Sequence, residues 1–152
     1  MHGPILGAQA NVRVPLEEAR DWFLSLEEHP ERYEFETHEG FQFVEGSFGE
    51  VGARFKTQEK FLVLRAELLF ELTGIYESEF RFRLIRPFSG IWGRFDLEEI
   101  GPNETSLSLL IGSETRGGHL LLSCYPVATV VHRQIQREVA HIKRSMESVS
   151  GD

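Results

Sequence analysis

The sequence predicts an α+β domain in which one antiparallel sheet carries one long C-terminal helix. Three observations predict it. Cys124, Ala128, Val131, Ile135, Val139, Ile142 and Met146 recur at steps of four and three, which at roughly 100° per residue puts them on one stripe. Between Gly40 and Thr115 the apolar pattern has period two instead, broken at turns rich in Gly and Pro. The 152 residues suit one core and show no linker, repeat or low-complexity stretch, so residues 1–152 read as a single domain. A helix with an apolar stripe needs an apolar surface, and the sheet supplies it.

The elements follow in order. Residues 4–14 read as a first strand, with Ala8, Ala10, Val12 and Val14 on one face and Pro15 ending it. Leu16 to Phe23 reads as a short helix: Glu17 and Glu18 complement its dipole, and Ala19, Trp22, Phe23 and Leu26 form its apolar side. Pro30 suits a first helical position and opens one further turn, ending at Tyr33. Phe41 and Phe43 start the sheet proper, and Gly46, Gly49 and Gly52 punctuate the turn towards Ala53 and Phe55. Leu64, Ala66, Leu68, Phe70 and Leu72 share the inner face of a long strand, followed by Phe80, Phe82 and Leu84. Pro87-Phe88-Ser89-Gly90 reads as a four-residue hairpin loop, which sets Phe82 opposite Phe95 and Arg81 opposite Asp96. Leu107, Leu109 and Ile111 make the last inner row. Pro126 predicts a break in the helical region, because an interior proline costs about 3 kcal/mol. The main helix then starts near Pro126, with residues 119–124 as a separate turn.

Composition excludes several functions. The net charge of −8 disfavours nucleic acid and anionic lipid, both of which need a basic patch. No apolar run approaches the ~18 residues of a membrane span. The N-terminus lacks the basic start and apolar middle of a signal peptide, and the single cysteine excludes an internal disulfide. A cytoplasmic protein is the expectation. Cys124 falls on the helix stripe and is expected to be buried and inert.

The opening Val12-Arg13-Val14-Pro15-Leu16-Glu17-Glu18-Ala19 resembles the start of START/Bet v1-like (SRPBCC) proteins, where a strand ends in an apolar-x-small-Pro-x-Glu pattern. Val14 is larger than usual there. His29-Pro30-Glu31-Arg32-Tyr33 resembles the Asp-Pro-Glu-x-Tyr turn of the same group, with His in place of Asp. The polyketide cyclase/dehydrase-like and lipid-transport-like branch is the nearest in appearance. The resemblance implies a helix-grip fold: a curved seven-stranded sheet wrapped around the long helix, with two short helices after the first strand and an apolar cavity between sheet and helix. It also implies a hydrophobic small-molecule partner such as a lipid or polyketide, and no shared catalytic signature.

The residues leave three functions open. The first is a binder or carrier, with Phe41, Phe55, Leu68, Phe70, Phe82, Phe95 and Leu109 as cavity wall and Tyr125, Ala128 and His132 contributed by the helical region. Core packing is the plainer reading of each Phe. The second is a small cyclase or dehydratase, with His132 and Tyr125, seven residues apart beside the stripe, as acid/base groups; this requires both rings to face a cavity. The third is an interaction module working through its surface. Ile85 and Trp92 fall on the outer sheet face, with Leu69 near, and suggest a homodimer contact or a local packing cluster. Glu59 shares the parity of Phe55 and Thr57 but sits near a strand end, where exposure is expected. No His pair has metal-ligand spacing, so no metal and no cofactor are expected.

Overall fold

The computed structural model describes residues 5–61 and 63–150; His2 and Pro4 lie outside them. Strand β1 (Leu6–Val12) leads into helix α1 (Leu16–Leu24) and two 3-10 turns, Ser25–Glu27 and Pro30–Tyr33. Six strands follow: β2 (His38–Glu45), β3 (Arg54–Phe61), β4 (Leu64–Tyr76), β5 (Glu79–Arg86), β6 (Ile91–Gly101) and β7 (Glu104–Ser113). The chain ends in α2 (Arg116–Ser123) and the long α3 (Val127–Ser150). Pro126 stands between the two helices, where an interior proline was expected to break them. Thr115 caps α2, its side chain accepting a bond from Gly118 N at 3.0 Å.

All seven strands form one antiparallel sheet in the order β1-β7-β6-β5-β4-β3-β2. The sheet curls around α3, and the short segments after β1 close one end. There Trp22 and Phe23 of α1 pack with Phe80, Leu107, Ile142 and Met146 in a filled core. Thr105 seals the β1–α1 corner, its hydroxyl donating to Val14 O at 2.8 Å.

One expected register is corrected. Phe82 pairs with Gly93 rather than Phe95, and Arg81 with Arg94 rather than Asp96. The β5–β6 ladder begins only at Arg83↔Trp92, so the connection is wider than the four-residue loop expected. Leu84, Pro87, Phe88 and Ile91, which do not pair across β5–β6, line a cavity there.

Two rings cover bare backbone, one across β5–β6 and one across β6–β7. The Phe82 ring lies over Gly93 on the inside, and the Trp92 ring lies over Gly112 on the outside; a Cβ at either glycine would collide with its ring. Trp92 and Ile85 are half-buried and Leu69 is buried, an arrangement of local packing on the outer face. Among the described residues no helix is long and apolar enough to cross a membrane.

Candidate functional site

Between the sheet and the first half of α3 lies a cavity of about 440 Å³. That volume suits a drug-sized ligand. Phe41, Phe55, Leu68, Phe70, Phe82 and Phe95 form its sheet side, and Val127, Val130, Val131 and Ile135 its helix side. The period-two pattern of β2 to β6 delivers those rings to one face, and α3 supplies positions one turn apart. The aromatic rings also contact one another: Phe55 stacks on Phe70 with centroids 5.2 Å apart, and Phe82 lies 5.4 Å from Phe95. Exposed Leu64, Phe88 and Pro126 mark the mouth.

The inner end is polar. His38 at the start of β2, Thr57 and Glu59 on β3, and Gln134 and Glu138 on α3 converge there, beside Tyr33. All six are buried; Glu59 and Glu138 are only 6% and 7% exposed. Thr57 Oγ1 donates to Glu59 Oε2 at 2.6 Å, and Gln134 Nε2 approaches Glu59 Oε1 at 3.5 Å while donating to Thr37 O at 3.1 Å. His38 Nε2 stands 3.6 Å from Glu138 Oε1. The Tyr33 ring packs on His38 with centroids 4.4 Å apart.

Burial sets the charge states of this cluster. Desolvation pushes the Glu138 carboxyl well above the usual carboxylate range, and the adjacent Glu59 carboxylate pushes it further. Burial lowers the His38 pKa, against an opposing pull from Glu59, so the imidazole is neutral near pH 7. Tyr33 is raised, first by burial and then by Glu138 and Glu59, and keeps its phenolic proton. No Lys or Arg lines the cavity among the described residues. The inner end therefore offers the protonated carboxyl of Glu138 with the Glu59 carboxyl beside it, a neutral imidazole and a phenol. Such a set can hydrogen-bond a ligand's polar end or pass it a proton. It can also hold a cation, since His38, Glu59 and Glu138 each offer a donor atom and these lie within 4.8 Å of one another.

No protein-family model matches the sequence, and no curated protein matches it. Solved structures do match. TTHA0849 of Thermus thermophilus has a TM-score of 0.74 at 17% identity, covering 97% of this chain and 99% of that one. The di-domain ARO/CYC BexL gives 0.70 at 15% identity, covering 98% of this chain and 48% of BexL. A START superfamily protein of Mycobacterium smegmatis gives 0.65 at 11% identity, covering 95% and 94% of the two chains. The chain has the START/Bet v1-like helix-grip fold.

Within this helix-grip fold the expected site residues separate into two groups. Phe41, Phe55, Leu68, Phe70, Phe82 and Phe95 line the cavity, whereas Leu109, Tyr125, Ala128 and His132 are absent from its wall. Leu109 is buried in the core. His132 is half-buried, with Nε2 3.1 Å from Gly7 O on β1, because its side of α3 faces the sheet edge. Tyr125 is 82% exposed, since the chain turns outward between α2 and α3. His132 and Tyr125 thus fail the requirement that both rings face a cavity, and the acid/base pairing expected of them is corrected. Cys124, expected to be buried, is exposed at the same turn. Glu59, expected to be exposed, is buried because β3 continues past it to Phe61 under the helix.

The polar cluster is what the sequence reading missed. Gln134 and Glu138 sit four residues apart beside Ile135 and Val139, on the buried side of α3. That i, i+4 polar pair flanking the stripe, together with the inward parity of Glu59, was the available signal.

Proposed function

We propose that this chain binds a hydrophobic small molecule with one polar end, held in the cavity between the sheet and α3. One observation carries the reading: an apolar volume of about 440 Å³ whose polar lining side chains are gathered at its inner end. An apolar body gains by leaving water for the Phe-rich wall. A hydroxyl, carbonyl or amine on the same molecule would meet Glu138, Glu59 and His38. Lipids and polyketides both have this build.

Native mass spectrometry of the protein purified from cells, followed by denaturing extraction, tests this. The expected result is a co-purifying apolar molecule, or saturable binding of an apolar fluorophore that medium-chain alcohols displace. A protein that arrives empty and binds neither probe ends the reading.

A second reading, a small enzyme of the cyclase or dehydratase type, is favoured by the Glu59–Glu138 pair. Two carboxyl groups in contact, one protonated, can serve as acid and base on one bound molecule. The likeness to BexL, an ARO/CYC protein, supports that direction. Turnover of an extracted ligand by the wild type and not by Glu138→Gln would favour the enzyme. Retention of the ligand unchanged by both would favour the carrier.

A further inference from the structure

We propose that His38, Glu59 and Glu138 together bind a first-row divalent transition-metal ion, of the Zn²⁺, Fe²⁺ or Mn²⁺ type, at the inner end of the cavity. The three donor atoms lie within 4.8 Å of one another, and His38 Nε2 is 3.6 Å from Glu138 Oε1. Metal–ligand bonds of about 2.0–2.1 Å in a tetrahedral site set donors about 3.3 Å apart. Small rotations of the two Glu side chains close that gap.

The donors come from three elements, β2, β3 and α3, each fixed by the sheet or the core. His38 is 1% exposed, yet its Nε2 stands beyond hydrogen-bond range of Glu138 and its Nδ1 has no partner among the described residues. An ion between His38 Nε2 and Glu138 Oε1 would give both buried atoms a closer partner than they give each other. Glu59 is already oriented from outside, by Thr57 on one oxygen and Gln134 near the other. Outer partners of this kind fix ligating carboxylates in metal sites.

Charge and donor type then select the ion. With no Lys or Arg on the cavity wall among the described residues, a divalent cation that displaces the Glu138 proton to solvent forms an electrically balanced set with two carboxylates and a neutral imidazole. One nitrogen and two oxygens suit borderline first-row ions. Calcium needs about six to eight oxygens, and soft ions prefer thiolates. Three protein donors leave a coordination position open. It faces the cavity, where the polar end of a bound molecule would reach it.

The test uses the full chain, stripped with EDTA and titrated with Co²⁺ and then Zn²⁺. The expected result is one equivalent of Co²⁺ retained through gel filtration, with visible absorption that Zn²⁺ abolishes. Glu138→Gln and Glu59→Gln should each weaken retention more than about 100-fold, beyond the 10–100-fold that loss of an outer partner costs. Thr57→Val should fall within that smaller range. Circular dichroism confirms that each variant is folded. Equal retention by wild type and both Gln variants would put the ion on the acidic surface and overturn the proposal, as would no retention by the wild type. The readout needs no small molecule, so it stands apart from the binding reading.

Discussion

From Val139 to Met146 the stripe of α3 presses on a filled core, whereas from Val127 to Glu138 the same stripe faces open volume. Val139, Ile142 and Met146 are buried among α1 and β1 side chains. The C-terminal half is also pinned by polar contacts: Trp22 Nε1 donates to Ser145 Oγ at 2.9 Å, and Lys143 Nζ to Asn11 O at 2.6 Å. Val127, Val130 and Val131 are only half-buried, and the buried residues Gln134 and Glu138 on this half are polar. What differs is the opposite wall. The bulky rings of α1 fill the space facing one half, while the splayed β5–β6 connection stands off from the other. An apolar helix face thus signals contact with something apolar, without saying whether that is protein or a guest.

Truncation gives the sharpest break in this comparison. Ile142→Ala should cost about 2–5 kcal/mol, since a packed site cannot collapse around the hole. Val131→Ala should cost less than about 1.5 kcal/mol, because its side chain already borders free volume. Urea unfolding of both measures the difference, and similar losses would mean that the cavity is closed in solution. Enlargement inverts the ranking. Ile142→Trp should destabilise by at least the ~1–3 kcal/mol typical of overpacking. Val131→Trp should leave stability within about 1 kcal/mol of wild type and weaken binding of an apolar fluorophore at least tenfold, about 1.4 kcal/mol. Unchanged fluorophore affinity in Val131→Trp would place the binding site elsewhere.

The smallest effect is a slope with pH. Glu138 holds its proton more tightly in the folded chain than in the unfolded one, where a Glu titrates near pH ~4.3. Its stabilising contribution is full below that pH. Above it the folded state binds more protons than the unfolded state, so stability falls as pH rises, by up to about 1.4 kcal/mol per unit, until the folded pKa is passed. Glu138→Gln should remove this slope. His38 acts in the opposite sense: burial lowers its pKa, and its contribution is lost as pH falls below ~6.5. His38 is present in both proteins, so the wild type minus variant difference reports Glu138 together with its effect on Glu59. Parallel stability–pH curves for the two would show that Glu138 is not held protonated.

Much of the architecture was legible because it rests on period and punctuation. The stripe from Val131 to Met146, the break at Pro126 and the alternation through Phe55, Phe70 and Phe82 are local patterns that folding preserves. The β5–β6 register was not legible, because nothing near Pro87 encodes that the strands must part to make room. Six of the ten residues expected at the cavity lie on its wall for the same reason: β-strand parity assigns a face to each strand residue. His132 and Tyr125 were misplaced because a border position on a helix has two sides, and only the sheet's position decides which is wet. Glu59 and Glu138, 79 residues apart, meet through the closure of the sheet around α3, a contact no spacing rule anticipates.

Gly93 has a consequence of a different kind. Because the Phe82 ring rests on bare backbone there, the ring lies flat against the wall instead of standing upright in the lumen. Any side chain at Gly93 would lift the ring inward and take its volume from the cavity. The calibre of the chamber is thus set by a residue with no side chain, and its volume can be adjusted at a position outside its lining.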